Sequence, residues 1–175
     1  MEPTHHQHNP TDPGQLRAWI TKWIAASWLW HAKILSGPET SATQTRRPGP
    51  RVPTALLKPA FPSLTEDARP PTVEFDIEID SHGVRHDQVR AVPHIGHSLP
   101  GAPRLQMRIT NTGTSSPLLD PENTGALTIF VCRPGPGTNS PKCRIWICRN
   151  PTETDVADDL LGPVEPGFPA PWAPA

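Results

Sequence analysis

Ser116-Pro117-Leu118-Leu119-Asp120-Pro121-Glu122-Asn123-Thr124-Gly125-Ala126-Leu127 is a turn-rich dodecamer that runs straight into an apolar strand. Pro, Asn, Asp and Gly each favour turns for their own steric or hydrogen-bonding reason. Ala126 to Arg133 is mostly apolar and reads as a strand buried on both sides. Pro134 to Pro141 reads as a loop, and Lys142 to Arg149 as the strand that pairs back. Asn150-Pro151-Thr152-Glu153 then starts a short helix, with Asn150 as cap, Pro151 in the first turn and Glu153 reaching back. Val156, Leu160 and Leu161 supply its apolar face, and Gly162-Pro163 stops it.

Upstream of the dodecamer, Arg104 to Ile109 alternates, with Arg104, Gln106 and Arg108 on one face and Leu105, Met107 and Ile109 on the other. Asn111-Thr112-Gly113 closes this strand, and the Gly/Pro-rich stretch from His94 to Pro103 precedes it as a loop. Val84 to Pro93 holds a further strand, after a turn at Ser81-His82-Gly83. Val73 to Asp80 alternates without a fault: Val73, Phe75, Ile77 and Ile79 face a core, and Glu74, Asp76, Glu78 and Asp80 face water. Four carboxylates on one face do not suit a phosphate backbone, so this strand is expected to lie away from any nucleic acid. A catalytic carboxylate pair there is a weaker reading than a solvated face.

Nearer the start, Trp28 to Leu35 reads as a strand and Pro53 to Leu57 as a short helix. Between them Ser36 to Pro50 is a polar excursion carrying Arg46 and Arg47, too long for a plain hairpin turn and read as a projecting arm. Asp12-Pro13-Gly14-Gln15 has the form of a helix start, and Leu16, Ile20, Trp23, Ile24 and Ser27 follow at spacings of three and four. The Trp residues are read as core rather than as base-stacking platforms. One helix, many strands and a late short helix predict a mainly β domain with short helices (α+β), barrel-like, its ends closed by helices.

The 175 residues suffice for one domain, and 25 of them are Pro, which disfavours long helices. Residues 1–11 read as a disordered tail, 12–165 as the domain, and 166–175 as a Pro-rich tail or the start of a linker. His5, His6 and His8 in the tail could capture a metal only adventitiously. No apolar run approaches a membrane span, and the first residues lack the pattern of a signal peptide. Cys132, Cys143 and Cys148 read as small apolar residues in a reducing, cytoplasmic setting; zinc would need a fourth ligand with no evident place. The net charge of −1 hides polarity. Lys33 to Lys58 holds five cations against one anion, and Arg85 to Arg108 holds four against one. Glu66 to Asp80 holds six anions against one cation, and Arg149 to Glu165 five against one. Two basic segments separated by an acidic one suit phosphate binding if they share a face.

Catalytic motifs are missing from the sequence. Restriction-type nuclease cores carry a carboxylate two residues before a Lys, to hold and activate metal-bound water. Here Ile20, His31, Leu56 and Ser140 precede the four Lys at that spacing. Walker, HExxH and GxSxG motifs are absent, and Tyr is absent altogether, which excludes strand transfer through that residue. Ser81, His82, His86 and Asp87 cluster in sequence, but a triad is a matter of geometry in space. No cofactor or metal is expected.

The stretch Asp120-Pro121-Glu122-Asn123-Thr124-Gly125-Ala126-Leu127, with Arg144 to Cys148 and Leu161 to Gly167, resembles the N-terminal DNA-binding (effector) domain of EcoRII-type type II restriction endonucleases. The resemblance runs from about Trp28 to Gly167. It implies an open DNA-binding β-pseudobarrel whose two arms grip the major groove of a five-base-pair CC(A/T)GG site. It also implies that DNA bound there relieves inhibition of a separate nuclease domain or subunit. Carried over by position, the first arm brings Ser41, Thr43, Gln44, Arg46 and Arg47, with Lys33 on the strand leading to it. The second brings His94, His97, Arg104, Gln106, Arg108 and Asn111. Arg suits guanine O6 and N7, Gln suits adenine, and Lys with hydroxyls suits phosphates. Met107 stands where the family has Lys, Asn111 and Thr112 replace an Arg-Trp pair, and Thr114 replaces another Arg. Fewer cations imply a shallower salt dependence and weaker binding. The expected function is sequence-specific binding of double-stranded DNA by a chain that cuts nothing by itself. The alternative is a pseudobarrel remnant that has lost DNA binding and serves as a protein-interaction subunit.

Overall fold

Asp12 starts the first helix as its position implies: its carboxylate accepts from the Gly14 N–H at 2.9 Å, and Pro13 opens α1 (Pro13–Ile24). The computed structural model describes residues 12–24, 29–42, 48–62, 64, 71–95, 105–133 and 142–164. The expected tails at 1–11 and 166–175 lie outside the described residues.

The strands are β1 (Leu29–Ile34), β2 (Arg51–Pro53), β3 (Val73–Ile79), β4 (Val84–Ile95), β5 (Leu105–Thr110), β6 (Leu127–Arg133) and β7 (Lys142–Ile147). They form one sheet in the order β1-β6-β7-β3-β4-β5-β2. Every neighbouring pair is antiparallel except β3 with β7. The first two strands of the chain are thus the two edges of the sheet. The Lys33 ammonium on β1 donates to the Arg51 carbonyl on β2 at 3.2 Å, so the edges approach across a seam. The protein is mostly strand with short helices, an open pseudobarrel as predicted.

The pleat of β6 and β7 sorts their residues into two cores. Inside the curled sheet lie Val52, Phe75, Ile77, Met107, Ile109, Phe130, Cys132, Cys143 and Ile145, plugged by Leu56 and Leu57 of α2 (Thr54–Leu57). Outside it, Leu16, Trp19 and Ile20 of α1 and Ala157 of α3 (Pro151–Leu161) cover Trp30, Ile129, Val131 and Trp146. β6 lies between both cores, and its burial from Leu127 through Cys132 matches the expected two-sided strand. Phe130→Ala would open a cavity in the inner core at a cost of about 3–5 kcal/mol.

Two local expectations need correcting. The carboxylates of β3 are not simply a wet face. Asp80 accepts from Trp19 Nε1 at 2.6 Å and from Arg144 Nε and Nη2 at 2.8 and 2.9 Å. Glu78 also reaches Arg144, at 2.9 Å, and the guanidinium lies 4.1 Å from the centre of the Trp23 ring. Asp80, with Glu78 through Arg144, therefore clamps α1 to the sheet, while Glu74 stays exposed and pairs with Arg90. On α3, Ala157 is fully buried and Leu160 is 40% exposed, because the inward line runs Glu153, Ala157 and Leu161 at four-residue steps. The start of α3 is as expected: Asn150 Oδ1 accepts from Glu153 N–H at 2.9 Å, and Glu153 reaches back to accept from Arg149 N–H at 2.8 Å.

Candidate nucleic-acid interface

β5 carries the predicted alternation into three dimensions. Met107 and Ile109 are fully buried in the inner core, and Gln106 and Arg108 share the opposite face. In an antiparallel pair, residues in register project to the same side. Arg51 of β2 is in register with Arg108, and His94 of β4 with Gln106. The outer face of β2, β5 and β4 thus gathers Arg51, Arg108, Gln106 and the His94 position. Arg90, two places from Val92 on β4, pairs with Glu74 at 3.0 Å. The sequence alone did not single out Arg51. Its signal was its place among the five cations of Lys33 to Lys58, but only strand pairing sets it beside Arg108.

The return leg of the first excursion lies against the same strand. Ile109 N–H donates to the Pro50 carbonyl at 2.9 Å. Gly49 has a φ of +139°, and a Cβ there would overlap the Ile109 carbonyl and come within 3.3 Å of Arg108 Cγ. Only glycine fits so close an approach. The outgoing leg is held elsewhere: Ser41 N–H donates to the Leu119 carbonyl at 2.8 Å, and the hydroxyls of Thr40 and Thr124 meet at 2.7 Å.

Electrostatically, Lys33 does not stand in open solvent. Its side chain is 16% exposed and its ammonium donates to the Glu39 carboxylate as well as to Arg51 O. Burial lowers the Lys33 pKa against the pull of Glu39, and Lys33 with two backbone N–H donors outweighs burial to lower that of Glu39. Ser41 is exposed, and Asn111, exposed with φ +64°, donates to Gln88 O at 3.4 Å. Thr43, Gln44, Arg46, Arg47, His97 and Arg104 lie outside the described residues, as does the side chain of His94. Ser81 and His82 are in contact, Oγ to Nδ1 at 2.7 Å, but Ser81 Oγ also accepts from Ile147 N–H at 2.9 Å, which marks a turn lock rather than a nucleophile. Burial raises the thiol pKa of Cys132, and burial with Glu153 nearby raises that of Cys148 to about 12, so both remain protonated. Among the described residues no group of three or more His, Cys, Asp or Glu is placed to hold a metal ion, and no helix is long and apolar enough to cross a membrane.

With this geometry in place, the chain can be set beside known proteins. The family model for the N-terminal region of the restriction endonuclease EcoRII matches residues 25–175. The chain belongs to the EcoRII N-terminal domain family. It is 26% identical over 151 residues to the type II restriction enzyme EcoRII of Escherichia coli, covering 85% of this chain. The same match spans 37% of that enzyme's length. In this EcoRII N-terminal domain the dodecamer Ser116 to Leu127 is anchored through buried Pro117, Leu118 and Leu127. It forms two 3-10 turns, Pro117–Leu119 and Pro121–Asn123, which seat the first excursion through Leu119 and Thr124.

Proposed function

We propose that this domain binds a short specific sequence in double-stranded DNA through the major groove, as the recognition module of a type II restriction system. The observation that carries the reading is convergence. The return leg of the Ser36–Pro50 excursion packs on the strand that bears Gln106 and Arg108, with Arg51 in register beside Arg108. Two excursions rooted at one basic sheet face can meet one groove, and at the far end of the acidic row Asp80 binds α1 while Glu78 binds Arg144. In this reading Arg104, Gln106 and Arg108 address base edges, with His94, His97 and Asn111 beside them. Ser41, Thr43, Gln44, Arg46 and Arg47 form the opposing arm. Lys33 serves it through the seam. The target resembles CC(A/T)GG, and occupancy of the domain biases a nuclease domain or subunit between blocked and competent states. The chain contributes no cleavage chemistry of its own.

The test is a titration of the chain against a CC(A/T)GG duplex and a scrambled duplex at two salt concentrations. Preference for the first duplex, with affinity falling as salt rises, is the expected result. Equal weak binding to both would reject the proposed target. Absence of binding to either at low salt would reject DNA recognition and leave the protein-interaction reading.

A further inference from the structure

We propose that Glu39 is the positioning residue of the first arm, fastening both of its legs at a closed neck across the seam of the pseudobarrel. An ionised carboxylate offers about four acceptor sites. Here Oε2 accepts from the N–H and the hydroxyl of Ser36 at 3.0 and 2.9 Å. Oε1 accepts from the Arg51 N–H at 2.9 Å and from the Lys33 ammonium. The Glu39 backbone carbonyl accepts from Gly49 N–H at 2.8 Å. One residue therefore binds the leg that leaves β1, the leg that returns to β2, and the strand before the arm. At 2% exposure this carboxylate has no bulk water to replace a lost partner.

The chemistry is selective for an acid. Every group that meets the two oxygens is a donor, so an amide would turn its own N–H bonds toward one of them. A carboxylate without Lys33 would be a buried charge lacking its counter-ion, and Lys33 without Glu39 the same. The neck thus accounts for the lone anion of Lys33 to Lys58, in the middle of five cations. The step from neck to DNA affinity rests on the proposed DNA-binding function. The neck itself does not.

The experiment separates the two. By its specificity trypsin can hydrolyse the Arg46–Arg47 bond, and Pro48 blocks the following one. The paired change Lys33→Met with Glu39→Ala removes both legs' partner without leaving an orphan charge. It is expected to speed the first cut at Arg46 by about tenfold and to weaken duplex binding by about as much, below the unfolding transition. Lys33→Met with Glu39→Gln keeps one amide oxygen for one leg and is expected to recover part of both losses. Cleavage of the Ala pair at the wild-type rate would overturn the proposal. If the wild type binds neither duplex, the DNA reading fails and cleavage alone decides the neck. If the Ala pair does not fold, hydrogen exchange of the wild-type chain decides it: the amides of Ser36, Gly49 and Arg51 should be protected like those of β5. Exchange at open-loop rates would refute the neck.

Discussion

Replacing Gly49 by Ala tests whether the first arm is rooted on β5. Gly49 is buried, its φ is +139°, and an added Cβ would overlap the Ile109 carbonyl oxygen. A side chain in that backbone region costs about 1–3 kcal/mol. Relief of the overlap requires the leg to lift from β5, which breaks Gly49 N–H to Glu39 O and Ile109 N–H to Pro50 O, now 2.8 and 2.9 Å. Each buried bond is worth about 0.5–1.5 kcal/mol net. The sum is about 2–6 kcal/mol, a fall in unfolding midpoint of about 10 °C for a domain of this size. Gly113 is the control. Its φ is +81°, but a Cβ there would meet nothing within 4 Å. Gly113→Ala should cost only the left-handed backbone penalty, about 1–2 kcal/mol or about 4 °C. Thermal unfolding followed by circular dichroism reads both midpoints, and duplex titration well below them reads the arm. Gly49→Ala should show the larger fall in each. Midpoints that agree within a degree or two would mean that the leg does not press on β5, and the convergence argument would lose its base.

Arg108→Ala should weaken specific duplex binding by about 1–3 kcal/mol and relax preference at one base pair; unchanged affinity and preference remove Arg108 from the readout. Asp80→Ala leaves the Trp19 N–H unpaired and Arg144 with only Glu78 and Trp23, so denaturant unfolding should show a loss of about 2–4 kcal/mol; a loss under half a kcal/mol contradicts the clamp. His31 is 3% exposed, and burial, with Lys33 adding and Glu39 opposing, holds its pKa at about 4 against an ordinary 6.5. The unfolded chain therefore takes up the proton first, and stability present above pH 6.5 falls toward pH 4 by about 3 kcal/mol from this residue. His31→Leu should flatten the unfolding profile between pH 6.5 and 5, with the lowered pKa values of His82 and His86 leaving a residual slope in the same direction; profiles that coincide contradict this.

Strand positions were legible wherever one face is wet. Val73 to Ile79 alternates in sequence and in burial, and β5 does so at Met107 and Ile109. Period two survives in the residue types because each face meets a different medium. The helix caps at Asp12 and Asn150 were legible because they are local. What could not be read was anything made by non-local register. Asp80 and Arg144 are sixty-four residues apart, and only the parallel pairing of β3 with β7 brings them together. Arg51 needs the β2–β5 pairing to join Arg108, and Glu39 needs the approach of two edge strands. The candidate site was thus half legible: Gln106 and Arg108 by alternation, but not the residues that hold the arm beside them.

The dodecamer deserves a different explanation from the one its position near a recognition arm invites. Asp120 caps the second 3-10 turn through the Glu122 N–H at 2.9 Å, and Asn123 Nδ2 donates back to Pro117 O at 2.8 Å. Gly125, at φ +86°, donates to Leu35 O at 2.8 Å, while Leu35 N–H donates to Ala126 O at 3.1 Å. Thr124 and Leu119 then receive Thr40 and Ser41. Asp120, Asn123, Thr124 and Gly125 are each engaged by a bond or a backbone angle within the fold. They build the platform from which the arm departs. A platform demands particular residues because its partners are atoms of the same fold. Asn111 and Thr114, which are exposed, differ from the residues the resemblance leads one to expect, and so do Met107 and Thr112, which are buried. The same division separates a scaffold fixed by bonds within the chain from the exposed positions through which the proposed DNA recognition would act.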